Sequence, residues 1–372
     1  MQEVKKRRIV LASILKPVND SRMFEKIGQS LSPYYDVHII GAESIVNTHN
    51  SSIVFHPLSS LKRFSVERIV APFRILGKIF SIKPDLVIIC THELLWMVLI
   101  SKIFLRCKVI YDIRENYFRN ILHTNAFPRL LRIFVASYVR IKEWITSPFI
   151  NIFFLAEAGY KKELGFLKGQ KIILENKVKK IPSPASKKWS QEDGNIHLLF
   201  SGTLAETTGV FIAIDLASKL YAVEKKIRLL ILGYSPLHPV NNRIRNHING
   251  KDYIQFKGGD TLVPHPEILE AIGASDFGII AYPPNLSTQN TIPTKLFEYL
   301  GYTLPIMLIN YDPWITICTP FDAALPFDLK NLNAEEFISR LRSTTFYSRI
   351  PSDVFWESEE KKLLMAISEL IK

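Results

Sequence analysis

The apolar positions of this chain fall into short unbroken runs separated by longer stretches in which they recur every three or four residues. Unbroken runs at 8–15, 35–41, 52–56, 85–90, 108–111, 150–155 and 171–174 read as strands, and 23–31, 58–80, 93–105 and 129–146 carry the helical period. A strand without alternation is buried on both faces, and helices of ten or more residues between such strands imply parallel pairing. The pattern pauses over 177–194, where Lys177-Val-Lys-Lys-Ile-Pro-Ser-Pro-Ala-Ser-Lys-Lys is followed by Glu192-Asp-Gly. Prolines, serines and solvated charges without an apolar period make a linker. The alternation then restarts, with strands at 196–200, 227–232, 253–256, 277–281 and 306–309 and helices at 210–221, 268–273 and 294–300. The pattern predicts an α/β protein of two doubly wound domains, 1–177 and 195–352, joined by 178–194. A Glu- and Lys-rich helix at 353–372 is expected to return toward the first domain. Two such sheets are expected to face one another across a cleft at the carboxyl edges of their strands, where ligands bind in these folds.

Composition agrees with two cores: 372 residues exceed what one core usually serves, and 47% are apolar. Charge is uneven. Residues 1–180 hold 29 Lys and Arg against 14 Asp and Glu, a net +15, whereas 181–372 hold 18 against 21, a net −3. A basic half faces an anionic partner: nucleic acid, anionic lipid or a phosphorylated substrate. Cys90, Cys107 and Cys318 lack metal-ligand spacing and read as reduced thiols of a cytoplasmic protein. The first apolar run stops at Lys16-Pro17, too short for a secretory signal, and no uncharged run is long enough to span a bilayer.

Two segments carry chemistry. Leu198-Leu-Phe-Ser-Gly-Thr-Leu-Ala-Glu-Thr-Thr-Gly-Val-Phe is a strand, a small-residue turn and a helix start, and Ile292-Pro-Thr-Lys-Leu-Phe-Glu-Tyr-Leu-Gly is a helix opened by proline. In the first, Gly202 allows a ligand close to the backbone, and the helix start near Gly209 offers N–H groups that suit a diphosphate. In the second, Lys295 and Glu298 share a helix face: a cation for phosphate oxygens and a carboxylate for ribose hydroxyls, or a solvated ion pair. With Leu304-Pro-Ile-Met, and more weakly Lys16-Pro-Val-Asn-Asp-Ser-Arg-Met and Tyr111-Asp-Ile-Arg-Glu, these segments resemble the large GT-B glycosyltransferase families that use nucleoside-diphosphate sugars (group 1 or family 4-like). The resemblance implies two Rossmann-like domains and a donor site formed by Ser201, Gly202, Thr203, Thr208, Asn290, Thr294, Lys295 and Glu298, with Glu298 as the ribose-binding glutamate. It departs from the pattern at Asn290, where many of these enzymes carry a second glutamate, and at Thr208, where many carry lysine. Lys295 is then the principal phosphate cation, also stabilising the leaving group, with Thr203 and Thr208 hydroxyls assisting. No Asp-x-Asp cluster is present to hold a metal against the diphosphate, so no cofactor is expected beyond the sugar nucleotide itself.

The N-terminal half is expected to hold the acceptor. Asp20, His92, Asp112 and Glu115 follow predicted strands and are candidates for catalytic work. Asp20 reads as a helix N-cap or a base, His92 as structural or a contact to a sugar hydroxyl or phosphate, and Asp112 or Glu115 as a general base or a cluster neutralised by Arg114. Basic and aromatic residues interleave at 61–80 and 116–150. They suit an anionic bilayer surface, or they are amphipathic helices with a basic outer face. The expectation is a glycosyltransferase, cytoplasmic or peripheral on the inner face of the plasma membrane, acting on a saccharide acceptor, plausibly a lipid-linked cell-surface one. The alternatives are a nucleotide-sugar epimerase of the same architecture and a nucleic-acid-binding protein. The second is disfavoured because its aromatics lie on helices and no nucleic-acid motif occurs.

Overall fold

The computed structural model describes residues 6–44, 52–59, 66–123, 127–180, 194–235, 237–283 and 291–372. The chain divides into two compact units, Met1–Asn176 with Trp356–Lys372, and Lys177–Phe355. Most of the sequence-predicted linker, 181–193, lies outside the described residues, as does Asn290.

The first unit is built on seven parallel strands: β1 (Arg8–Pro17), β2 (Asp36–Ala42), β3 (Val54–Leu58), β4 (Leu86–Ile89), β5 (Lys108–Ile113), β6 (Ile152–Leu155) and β7 (Gln170–Ile173). Their order is β3-β2-β1-β4-β5-β6-β7. Ile9 to Ala12 of β1 and all of β4 are fully buried, which is why these strands show no polar alternation. The helix Ser21–Gly28, continuing into α1 (Gln29–Leu31), packs on one face with the C-terminal helix Trp356–Leu370. α2 (Val66–Ile82) and α3 (Leu95–Leu105) cover the other face, followed by α4 (Tyr117–His123), α5 (Arg129–Thr146) and the short α6 (Tyr160–Glu163). Leu58 closes β3, so the helix expected over 58–80 does not include it; residues 60–65 lie outside the described ones.

The outer side of α5 departs from expectation. It is apolar: Leu130 is 84% exposed and Phe134 71%, whereas Lys142 and Glu143 are each only 3% exposed. Tyr117, Phe118 and Phe127 do join a small core with Ala136 and Val139.

The second unit repeats the plan with six parallel strands: β8 (Ile196–Thr203), β9 (Ile227–Tyr234), β10 (Ile254–Gly259), β11 (Phe277–Ile280), β12 (Ile306–Ile309) and β13 (Ala324–Phe327). The order β10-β9-β8-β11-β12-β13 matches that of the first sheet strand for strand, less the seventh. α7 (Val210–Val223) and α12 (Ala334–Ser343) cover one face, and α9 (His265–Ala274), α10 (Thr294–Gly301) and α11 (Asp312–Cys318) the other; α8 (His238–Ile248) lies beside α7. The sequence pattern misses α8, α11, α12 and β13. Each sheet is the doubly wound, Rossmann-like arrangement in which strand order reverses beside the first strand.

Trp356 is fully buried in the first unit and its Nε1 donates to Ser30 Oγ at 2.9 Å. Trp356→Ala is expected to lower stability by about 3–5 kcal/mol, read from urea unfolding. An unchanged midpoint contradicts the placement of the C-terminal helix in this core.

Candidate active site

In the second sheet the order reverses between β8 and β11, whose following helices lie on opposite faces. Ligands of such sheets bind outside the carboxyl ends of the strands at this point. β8 ends in Ser201-Gly202-Thr203. Gly202 has φ +109°, and a Cβ there would lie 2.9 Å from Lys295 Cε. The Lys295 side chain thus lies across bare backbone, and the two segments singled out in the sequence meet. Gly209, with φ +84°, starts α7 so close to β11 that a Cβ would fall 1.8 Å from the Ala281 carbonyl oxygen.

Lys295 and Glu298 are both buried, not a solvated pair: Lys295 Nζ donates to Glu298 Oε2 at 2.6 Å. The other carboxylate oxygen, Oε1, lies 3.2 Å from His265 Nε2, at the first residue of α9. Burial alone would raise the Glu298 carboxyl; the Lys295 ammonium and the His265 hydrogen bond outweigh it and hold it down at about 2. The α10 N-terminus has no side-chain cap, so its first N–H groups and the aligned peptide dipoles face the same region as Lys295. The arrangement suits an anion beside a carboxylate that accepts hydroxyl hydrogen bonds.

The remaining donor-side candidates are placed differently. Ser201 Oγ is buried and pairs with Tyr299 Oη at 3.2 Å, so it braces the turn from beneath. Thr208 Oγ1 donates to the Thr203 carbonyl at 2.7 Å and accepts from Ala205 N–H at 3.1 Å, closing the turn and not reaching outward as expected. Thr203 is exposed at the end of β8, and Thr294 at the start of α10. Among the described residues no group of three or more His, Cys, Asp and Glu is arranged to hold a metal ion. Sequence reasoning missed His265 and Tyr299, which lie 33 and 98 residues from their partners.

In the first unit, Asp20 and Asp112 come together through arginine. Asp20 caps the helix Ser21–Gly28, accepting from the N–H groups of Arg22 and Met23, and also receives Arg114 Nη1 at 2.7 Å. Burial would raise its carboxyl, but Arg114 foremost brings it to about 2. Asp112, expected as a candidate base, is fully buried and accepts from Arg22 Nε and Nη2 and from Arg114 Nε at 3.1 Å. Two guanidinium groups saturate it and hold its carboxyl below the usual range despite burial, so it is an ion-pair anchor and not a base. His92 has other partners: Lys142 Nζ lies 2.9 Å from its Nδ1, and its ring packs edge-on against Tyr117. Burial lowers its pKa to about 4, helped by Lys142 and Arg68 and opposed by Glu93, so the ring is neutral near pH 7. Glu115 is exposed and accepts from Asn120 Nδ2 at 2.9 Å; Arg114 pairs with the two aspartates.

No family model matches the chain, and no curated protein matches it. Solved structures match it over nearly its whole length. A sucrose-phosphate synthase from Thermosynechococcus elongatus is 12% identical with a TM-score of 0.69, over 98% of this chain and 99% of that one. HepE from Anabaena, solved in complex with UDP and glucose, is 13% identical with a TM-score of 0.67, over 97% and 99%. A UDP-forming trehalose-phosphate synthase from Burkholderia xenovorans is 9% identical with a TM-score of 0.65, over 99% and 100%. The chain has the GT-B fold, an α/β architecture of two Rossmann-like domains.

Because its folded pKa is depressed from 4.5 to about 2, Glu298 adds stability that is complete above pH 4.5 and lost as pH falls toward 2. Wild type and Glu298→Gln are expected to differ by up to ~3 kcal/mol near neutral pH and to converge through that window in urea titrations. A difference that stays constant down to the acid limit contradicts the buried ion pair.

Proposed function

We propose that this protein is a glycosyltransferase that moves a hexosyl or related sugar from a nucleoside-diphosphate donor to a saccharide hydroxyl. The observation that carries the proposal is Lys295 lying across Gly202 with Glu298 beside it at the switch point of the second sheet. Two structural neighbours support it: one was solved in complex with UDP and glucose, and another is a UDP-forming trehalose-phosphate synthase.

In this reading the donor diphosphate approaches the Gly202 turn and the α10 N-terminus, and the ribose hydroxyls donate to Glu298. Those hydroxyls take the place of His265 and Lys295 on the carboxylate and free the ammonium for phosphate oxygens. The acceptor hydroxyl oxygen bonds to the anomeric carbon as the bond from that carbon to the diphosphate breaks, and the hydroxyl proton passes to a departing diphosphate oxygen. The electron pair leaves on the diphosphate, where Lys295 and the helix N–H groups stabilise it. Lys295 supplies the positive charge on the diphosphate in this proposal, and the sugar nucleotide is a co-substrate with no further cofactor invoked.

The first unit takes the acceptor. We assign Asp20 and Asp112 to holding Arg114 and Arg22 in place, and leave His92 and Glu115 as the groups available to the acceptor hydroxyl. A lipid-linked saccharide presented at the cytoplasmic face of a membrane fits the +15 charge of residues 1–180.

Turnover against a panel of nucleotide sugars tests the proposal. Lys295→Ala is expected to lower kcat by about 100-fold or more, the size of a lost leaving-group stabiliser. Glu298→Gln is expected mainly to raise KM, by about 10-fold or more, through the lost ribose contacts. Parent-like kinetics in both variants, or no sugar nucleotide consumed by the parent, contradicts it.

A further inference from the structure

The first unit carries an apolar outer surface that its own fold does not cover. Of the 23 large apolar side chains exposed among the described residues, fifteen fall between Ile69 and Phe149. Fourteen of them sit on α2, α3 and α5, and Phe149 lies just after α5; α2 packs against α3 and α3 against α5. On α5, Leu130, Phe134, Tyr138, Ile141 and Ile145 recur every three or four residues and form one continuous exposed stripe. Trp144 flanks it at 55% exposure. On α3, Ile103 and Phe104 are 73% and 71% exposed, and Phe73 of α2 is exposed as well.

Beyond Arg129 and Arg132 in its first turn, the charges of α5 point the other way. Lys142 Nζ meets His92, Tyr111 Oη donates to Glu143 Oε1 at 3.3 Å, and Arg140 donates to Asn116 while stacking on Phe118 and Phe166. A helix that turns Phe and Trp outward and hydrogen-bonds its Lys and Glu inward is inverted relative to a helix facing water.

We infer that the outer face of α2, α3 and α5 inserts into the headgroup and acyl boundary of an anionic bilayer. Charge complementarity selects this occupant. α3 has no acidic residue, and the only one on α5, Glu143, is buried. The exposed charges on these helices and just beyond them are mainly cationic: Arg74 and Lys78 of α2, Arg106 and Lys108 after α3, and Arg129 at the start of α5, against Glu67 in the first turn of α2. Tyr138, Trp144 and Trp96 supply the aromatic side chains that favour the interface. No helix among the described residues is long and apolar enough to cross a membrane, so the contact is parallel to the surface. This inference deepens the lipid-linked acceptor reading and rests on it for its purpose; the binding itself requires no donor.

Flotation of the full chain with vesicles of phosphatidylcholine alone, or mixed with phosphatidylglycerol, tests it without any sugar nucleotide. The chain is expected to float with the mixed vesicles and to remain largely bound at high salt, because inserted apolar area is not screened as charge is. Bromine-labelled lipid is expected to quench part of its tryptophan emission. Phe134→Glu with Ile141→Glu, both at exposed positions, is expected to lower partitioning by more than about tenfold while leaving the unfolding profile intact. Failure of the parent to float with either vesicle overturns the inference. So does complete release by salt without lipid quenching, or a dimer in lipid-free solution that these two substitutions dissociate. Absence of transferase activity with vesicle binding intact would sink the function proposed above and leave this inference standing.

Discussion

Lys295 occupies the space that a side chain at position 202 would fill. That close approach requires a glycine in a backbone conformation with positive φ, a sheet edge that ends there, and a helix that starts with its lysine pointing back over the turn. The rest of the second unit follows from it. Gly209 brings α7 against the Ala281 carbonyl and shapes the same edge from the other side. Thr208 and Ser201 spend their hydroxyls on the turn and on Tyr299, which fixes the backbone under the lysine. A buried cation needs a partner, and Glu298 supplies it while His265 holds the second carboxylate oxygen. In the function proposed above, these groups stay paired among themselves until a ligand with phosphate and hydroxyls offers better partners.

The first unit uses the same sheet plan to different effect. At its switch point the side chains are already neutralised: Arg22 and Arg114 share Asp112, and Arg114 also takes Asp20. Removing one partner of such a set leaves a buried charge uncompensated, so these residues hold the strand ends in register. His92 and Glu115 lie outside this set: His92 meets Lys142 and Tyr117, and Glu115 is exposed. On α5, Lys142 and Glu143 turn inward while Leu130, Phe134 and Tyr138 stay exposed.

Much of the architecture was legible in the sequence because buried parallel strands leave unbroken apolar runs and long helices keep their period. The helices α8, α9 and α11 begin with Pro239, Pro266 and Pro313 at the first turn. Proline reads locally as a loop signal but is at home in that position, so α8 and α11 were missed and α9 was expected too short. Lys295 and Glu298 were legible because three-residue spacing on a helix puts side chains together. His265 was not, since its approach to Glu298 is set by how α9 and α10 pack. For Asp112 the local motif fits a base or an ion pair equally well, and Arg22, 90 residues away, decides. On α5 the period marks an apolar stripe without saying which side meets the core, and the expected basic outer face proved apolar.

The central claim is that Glu298 recognises ribose hydroxyls beside a diphosphate held at Lys295. Calorimetric titration of the full chain with uridine diphosphate and with its 2′,3′-dideoxy counterpart measures this directly. The account predicts that the dideoxy compound binds about 10- to 100-fold more weakly, the value of hydrogen bonds to a charged carboxylate. Equal affinities for the two compounds, or no measurable binding of either, would contradict it.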